Sequence, residues 1–379
     1  MRMVSFVFVL VFVLVIYALV RIYPVFGRFG MPVPVYIILE LLFTVIMVVS
    51  AMSLGKIENT AVRLIFQLIG SIQFIILIYS ALIFAVRDIV MLLVKLIGRI
   101  SGSPDGGRLR SFCNGIKSPY FGMTVLILLL LVGVFGFINI GIIREKNYEI
   151  NIDKKAEIPC LTVAVVSDLH LGTGIRSNDL QKMADSINNA DCDTVLIVGD
   201  ISDNNTPDGI YDEFAEKMAG IKSRYGVYFS YGNHDGSGHG KLEAALDKAG
   251  IKILADEETE FAGVHLIGRK DSYGKNMKNP EDYGIPENEP VIMMNHRPSG
   301  LAGLEAADIV LSGHTHGEQF PLCYLINMFD NDNNYGIKKF GSMTSIVTSG
   351  IGGWGFRFKF PSNSEIVKLK INFKMNSGG

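Results

Sequence analysis

Four long apolar stretches in the first 150 residues constrain the fold of this chain most. They are Met3–Val20, Met31–Leu54, Leu64–Val86 and Phe121–Ile143, and the one charged residue within them is Glu40. A bilayer core needs about 20 apolar residues per helix, so the simplest interpretation is four membrane-spanning helices. The first stretch could instead be a signal peptide, although no convincing small-residue cleavage site follows it.

The charges around these stretches predict an orientation. Residues 1–150 contain 13 Lys and Arg against 6 Asp and Glu, and the rest contains 22 against 31. With four spans, one side holds Arg21, Arg28, Arg87, Lys95, Arg99, Arg108, Arg110 and Lys117, and the other holds only Arg2, Lys56 and Arg63. Because the Lys- and Arg-rich side is usually cytoplasmic, we expect a multi-pass protein of the cytoplasmic membrane whose second part lies outside the cytoplasm.

The segment Arg87–Ile100 allows two interpretations. Asp88, Lys95 and Arg99 are seven and four residues apart and so share one helical face, while apolar residues cover much of the rest. The segment is either a helix lying at the membrane surface or an extension of the third span.

From about residue 149 the pattern changes to short apolar runs, which alternate with segments of helical spacing. The runs are Leu161–Val166, Thr194–Val198, Gly226–Tyr231, Val291–Met294 and Asp308–Leu311. Apolar strands covered by helices are typical of a layered α/β domain. We therefore predict an all-α transmembrane region of four helices over residues 1–148 and an α/β domain over residues 149–379.

Polar residues follow the end of each apolar run. Five of the seven histidines of the chain lie in these clusters. Ligands of α/β sheets bind at the carboxyl ends of the strands, so we expect the clusters to meet at one rim. Carboxylate, imidazole and amide oxygen suit divalent metals, and a pair of such ions can clamp both oxygens of an in-line displacement at phosphorus.

The order of these clusters resembles that of the calcineurin-like metallophosphoesterases. The motif reads Asp168-Leu169-His170, Gly199-Asp200, Gly232-Asn233-His234-Asp235, His296 and Gly313-His314-Thr315-His316. The ending, with Ser349-Gly350-Ile351-Gly352, Arg357 and Ser364-Glu365-Ile366, resembles the membrane-associated bacterial branch of the YkuE and YaeI type. The resemblance covers roughly residues 149–373 and implies a layered α-β-β-α sandwich with phosphoesterase activity.

The resemblance also implies two divalent metal ions, which seven residues would hold. Asp168, His170 and His316 would bind one ion, Asn233, His296 and His314 the other, and Asp200 would bridge both. The ions could be Mn, Fe, Zn, Ni or Co, because similar nitrogen and oxygen sites accept several metals.

Two further residues of the motif would take part in catalysis. His234 would face the leaving oxygen and donate a proton or steady the charge of the phosphate, and Asp235 would orient His234. The expected reaction is hydrolysis of a phosphate mono-, di- or pyrophosphate ester by in-line attack of metal-activated hydroxide, without a covalent enzyme intermediate.

Three further residues near the motif have open interpretations. Arg297 could contact a phosphate or project into solvent. Glu318 could disfavour highly anionic substrates or point into solvent, and Trp354 could contact the substrate or the membrane interface. The expected partners are the bilayer and a phosphorylated small molecule or lipid, which could derive from the cell envelope. A nucleic-acid partner is not expected, because the second part of the chain is acidic. The alternative function is a membrane sensor or scaffold whose phosphoesterase-like domain binds a ligand without hydrolysing it.

Overall fold

The chain forms two compact units. The computed structural model describes residues 2–52, 57, 59–100, 107–203, 206–238, 240–271, 277–320, 323 and 330–374. The first unit comprises the described residues up to Met52 together with Asn59–Phe135, and the second comprises residue 57 and the chain from Gly136 onward.

The described part of the first unit is helical. Its helices are α1 (Arg2–Gly27), α2 (Val33–Met52), α3 (Thr60–Ile100), α4 (Gly107–Lys117) and α5 (Pro119–Asn139), the last of which ends in the second unit. By length and composition, α2, α3 and α5 could each cross a membrane, and α1 contributes a shorter described apolar segment from Phe12 to Gly27. Among the residues that the structure describes, three of the four predicted spans correspond to helices with the length and composition of a membrane span, and the first corresponds to α1, of 26 residues.

Helix α3 is longer than the predicted third span. It continues without interruption through Arg87–Ile100, so this segment extends the third helix. Glu40 on α2 accepts a hydrogen bond from Nε2 of Gln73 on α3 at 2.8 Å, which gives the carboxyl of this apolar helix a polar partner.

The second unit contains two six-stranded sheets. The first has the order β1-β12-β2-β3-β4-β5 and the second the order β10-β11-β9-β8-β7-β6. The strands are β1 (Ile143–Lys155), β2 (Cys160–Val166), β3 (Thr194–Val198), β4 (Val227–Ser230), β5 (Lys252–Ile253), β6 (Glu257–Phe261), β7 (Val264–Gly268), β8 (Val291–Met294), β9 (Ile309–Ser312), β10 (Gly336–Phe340), β11 (Met343–Val347) and β12 (Ser364–Lys374). Strand β1 begins upstream of the boundary predicted at residue 149.

Apolar side chains fill the space on both sides of the first sheet. One cluster, which includes Val163, Leu196 and Leu311, draws on strands of both sheets. On the other face of the first sheet, the strands pack against α6 (Ser177–Asn189), α7 (Ile210–Met218) and α8 (Lys241–Lys248). A third cluster belongs to the second sheet and to two short 3-10 helices, Pro280–Tyr283 and Leu301–Gly303.

The five predicted apolar runs are strands, and they are divided between the two sheets. Strands β2, β3 and β4 are parallel neighbours in the first sheet, and β8 and β9 are parallel neighbours in the second. The turns after these five strands come together, so the rim that carries the polar clusters is built from both sheets.

Candidate metal centre

One group of possible metal ligands joins the turns after β2 and β9. Asp168, His170 and His316 are buried, and one ligand atom of each lies within 4.8 Å of the other two. This is the set that the sequence predicted for one ion. Oδ1 of Asp168 lies 3.6 Å from Nε2 of His316, and both carboxylate oxygens of Asp168 accept the backbone N–H of His314, at 3.1 and 3.0 Å.

A second group joins the turns after β3, β8 and β9. Asp200, His296 and His314 offer ligand atoms within 4.8 Å of one another. Asn233 was predicted to bind the same ion. The next residue, His234, donates its backbone N–H to Oδ1 of Asp200 at 2.8 Å. Oδ1 of Asn233 is buried and has no hydrogen-bond partner among the residues that the structure describes.

Asp200 links the two groups. Its Oδ2 atom lies 3.0 Å from Nε2 of His296 in the second group and 3.7 Å from Nε2 of His170 in the first. A carboxylate between two imidazoles of different groups is the arrangement that a bridging ligand requires.

The donor set fits divalent metal ions. Nε2 of His170 and Oδ1 of Asn233 are buried, and within the described ranges neither has a hydrogen-bond partner. Buried polar atoms without partners are costly, and coordination to an ion would satisfy them. Nitrogen and oxygen donors without thiolate suit several first-row metals, so the residues present fit a centre of two ions.

Neighbouring groups orient two of the imidazoles. Nδ1 of His296 lies 2.8 Å from the carbonyl oxygen of Val198, which leaves Nε2 facing Asp200. Nδ1 of His170 lies 3.5 Å from a carboxylate oxygen of Asp203. Such partners of the second ring nitrogen fix the orientation of a metal-binding histidine. The sequence prediction did not include Asp203, and the only signal for it was an acidic residue three positions after Asp200.

Burial and charge set the protonation of the imidazoles. Burial, together with His296, lowers the pKa of His314 to about 3, and burial lowers the pKa of His316 well below its usual value. Both rings are therefore neutral near pH 7, the form that binds metal. Burial also disfavours charge on His296, but the charge and hydrogen bonding of Asp200 outweigh it and raise the pKa of His296 to about 10. Metal binding would release that proton.

Most of the predicted ligands occupy a strained backbone conformation. Five of the seven have a positive φ, namely Asp168 at 55°, His170 at 44°, Asp200 at 57°, His314 at 70° and His316 at 55°. Non-glycine residues rarely adopt this left-handed region, and such residues cluster at functional sites. The sharp turns that result aim the side chains of successive strand ends toward the same point.

Asp235 holds the loops of the site. Its carboxylate accepts backbone N–H groups of Asp200 at 2.7 Å, Ser202 at 3.0 Å and Gly232 at 2.7 Å. All three donors are main-chain groups, so Asp235 has a structural role that the sequence did not predict. It ties the turn that carries Asp200 to the turn that carries Asn233. The predicted orientation of His234 by Asp235 stays a prediction.

His234 lies at the mouth of the site. Its ring centroid is 5.1 Å from that of His170 and 6.0 Å from that of Trp354. It lines a cavity of about 280 Å³ together with Asp200, His314 and His316. A substrate phosphate in this cavity would thus contact both the predicted ligands and His234.

The two charged neighbours that the sequence left open have partners in the protein. Arg297 forms a two-bond ion pair with Asp271, and its Nε–H donates to Oδ2 of Asp271 at 2.6 Å. It also lines a second cavity, of about 230 Å³, on the side of His296. The side chain of Glu318 hydrogen-bonds that of Asn334.

Comparison with known proteins agrees with this geometry. A family model described as calcineurin-like phosphoesterase matches residues 161–318. An uncharacterized metallophosphoesterase of Helicobacter pylori is 30% identical over 281 residues, which are 70% of this chain and 72% of that protein. One of Campylobacter jejuni is 27% identical and covers 74% of this chain and 76% of its own. A protein of Danio rerio named transmembrane protein with metallophosphoesterase domain is 29% identical and covers 70% of this chain and 66% of its own.

Proposed function

This chain belongs to the calcineurin-like metallophosphoesterase family, and we propose that it is a membrane-anchored enzyme that hydrolyses a phosphate ester at a centre of two divalent ions. The observation that carries the proposal is the position of Asp200. Its Oδ2 atom lies between His296 and His170, which belong to different ligand groups.

The residues of each group would hold one ion as the sequence predicted. Asp168, His170 and His316 form the first set, Asn233, His296 and His314 the second, and Asp200 belongs to both. When bound, the ions would activate water at neutral pH and neutralise charge on the phosphoryl oxygens. The protein contributes the fixed positions of the donors, which Asp235 and the left-handed turns maintain.

His234 is the residue that we assign to the leaving group. The ring lines the cavity and belongs to neither ligand group, so it adjoins the space that the substrate would occupy. An N–H of this ring would donate to the oxygen that leaves phosphorus and transfer a proton as the bond breaks. A positioned acid of this kind typically contributes about 10² to 10⁴ in rate.

The helices of the first unit would anchor the enzyme in the cytoplasmic membrane with the catalytic domain outside the cytoplasm. The apolar helices α2, α3 and α5 support anchoring, as does the transmembrane relative of Danio rerio, and the Lys and Arg distribution supports the orientation. An alkaline phosphatase fusion after residue 150 should be active. An inactive but expressed fusion would place the domain in the cytoplasm.

An anchored active site favours an ester that is itself lipid-linked or part of the cell envelope. The enzymatic part of the proposal is tested with the full chain in detergent, loaded with Mn²⁺, and the chromogenic diester bis(p-nitrophenyl) phosphate. We expect metal-dependent hydrolysis, which Asp200→Ala should abolish. Metal binding by the unmodified protein without hydrolysis of this diester or of p-nitrophenyl phosphate would instead support the sensor or scaffold function.

A further inference from the structure

The cavity at the metal centre has two chemically different walls. The polar lining consists of Asp200, His234, His314, Thr315, His316 and Gln319, and the apolar wall consists of Phe320, Cys323 and Trp354. The volume of about 280 Å³ is at the lower limit for ligand pockets, which span about 300–1,000 Å³. The cavity therefore accommodates the part of a substrate next to the phosphate, and the remainder must extend past its open edge.

Trp354 forms part of the apolar wall. Its side chain is 54% exposed, although its ring centroid lies 6.0 Å from that of His234. A large exposed aromatic ring beside a buried polar centre is ready to contact a ligand that enters from solvent or from a membrane surface.

The backbone that carries Trp354 is held firmly. The buried side chain of Gln319 accepts the backbone N–H of Trp354 at 2.9 Å and donates to the carbonyl oxygens of Trp354 and Phe356 at 3.2 and 3.1 Å. The exposure of the indole is thus imposed by a fixed main chain, which presents the ring at one place beside His234.

The same loop is seated on the last turn of α5. The backbone N–H of Lys359 donates to the carbonyl oxygen of Gly136 at 3.1 Å, and Nδ2 of Asn139 donates to the carbonyl oxygen of Lys359 at 2.9 Å. Helix α5 ends at Asn139 and is long and apolar enough to cross a membrane. Trp354 thus belongs to a loop that is hydrogen-bonded to the last residues of an apolar helix, and tryptophan is enriched at membrane–water interfaces.

We propose that Trp354, Phe320 and Cys323 bind the apolar part of the leaving alcohol of a phosphate ester that resides in the bilayer. This inference rests on the proposed function, because His234 then faces the leaving oxygen. In the reaction, the bond between phosphorus and the alcohol oxygen breaks and water supplies the hydroxyl group that joins phosphorus. The proton from His234 goes to the alcohol, which keeps its apolar chain against the wall, and the proton that water loses restores His234.

The test compares esters that differ only in their acyl chains. Full-length protein in detergent, loaded with Mn²⁺, is given dioleoyl phosphatidic acid and phosphatidylglycerol, and separately glycerol 3-phosphate and glycerophosphoglycerol. Release of diacylglycerol from the lipids and of glycerol from the deacylated esters is measured. We expect kcat/KM to be higher for at least one lipid than for its deacylated counterpart by about 10-fold or more, since apolar groups in a pocket discriminate by such factors. Monomeric dihexanoyl lipids show whether the enzyme takes its substrate from the bilayer or from solution. If the substrate resides in the bilayer, the dioleoyl forms in vesicles should be preferred.

Three variants test whether the apolar wall causes the preference for the acylated ester. Trp354→Ala should raise KM for the preferred lipid about 10-fold and leave KM for the deacylated ester within about twofold, and Trp354→Phe should restore most of the loss. Phe360→Ala is the matched control. Phe360 is an exposed aromatic residue of the same loop, at 37%, and it does not line the described cavity. An equal loss in Phe360→Ala would show that membrane contact, and not the cavity wall, carries the effect.

Failure of this inference is distinguishable from failure of the proposed function. If the protein hydrolyses bis(p-nitrophenyl) phosphate but none of the four glycerol esters, or prefers the deacylated forms or the monomeric lipids, the lipid subsite is overturned and the phosphoesterase remains. If no ester is hydrolysed, the proposed function itself is overturned.

Discussion

Replacing Gly232 by alanine should displace Asp200 without changing any side chain that would touch metal or substrate. A Cβ atom at residue 232 would collide with Oδ1 of Asp200 and lie 2.8 Å from its Cγ and 2.5 Å from its backbone nitrogen. Ordinary carbon–carbon contacts begin at about 3.5 Å, so Cγ of Asp200 must move by about 0.7 Å. The hydrogen bonds from Gly232 and Asp200 to Asp235 resist a compensating movement of the loop.

Such a displacement is large for a bridging carboxylate. A misplacement of about 1 Å can cost about 10²-fold in rate, and we expect a loss of this order in kcat. The assay is hydrolysis of bis(p-nitrophenyl) phosphate by the full chain at saturating Mn²⁺, with the metal content measured on the same sample. Circular dichroism confirms that the variant is folded.

Gly236→Ala is the matched control in the same loop. A Cβ atom at residue 236 meets nothing within 4 Å, so this variant should keep its rate within about twofold, as a surface substitution does. Full activity in Gly232→Ala, or an equal loss in Gly236→Ala, would refute the argument that the approach of Gly232 to Asp200 positions the carboxylate.

Three other variants probe separate parts of the site and of the fold. His234→Ala should lower kcat by about 10² to 10⁴ with both metals retained in elemental analysis; loss of metal would make this residue a ligand. Asp203→Asn should weaken metal affinity by about 10- to 100-fold, measured by competition with a chelator, because it removes the carboxylate beside His170. Burial tends to raise the pKa of Asp179, but two arginine partners lower it in the folded protein. The carboxylate therefore stabilises the fold above about pH 3.9, the ordinary pKa of Asp. This stabilisation is lost as the pH falls through the lower pKa that Asp179 has in the folded state. The difference in Tm between the unmodified protein and Asp179→Asn should accordingly vanish in acid, and a difference that persists there would contradict the ion pairing.

The strands that carry the site were predictable because they are short, continuous and apolar. The predicted run Thr194–Val198 is a strand with the same bounds. The run Leu161–Val166 is also a strand, which begins one residue earlier, at Cys160. Buried parallel strands produce such runs, since both of their faces are covered. The division of the runs between two sheets was not predictable, because strand order depends on pairing between residues far apart in the chain.

Residues that support the site were harder to predict than its ligands. Gln319 acts through the backbone around Trp354, and Asp235 acts through backbone N–H groups of other turns. A main-chain partner leaves no residue pattern in the sequence. The length of α3 was open for a different reason, since a surface helix and an extended span share the same 3.6-residue period.

The left-handed conformation of five predicted ligands has a consequence for the cell. Each such residue costs about 1 kcal/mol or more, so the set costs on the order of 5 kcal/mol, as much as the lower end of the total stability of a domain, about 5–15 kcal/mol. An ion that binds only the folded state offsets this cost. Newly made protein that meets too little metal would populate open forms and be degraded faster, so the lifetime of the protein, and not only its turnover rate, should follow the metal supply.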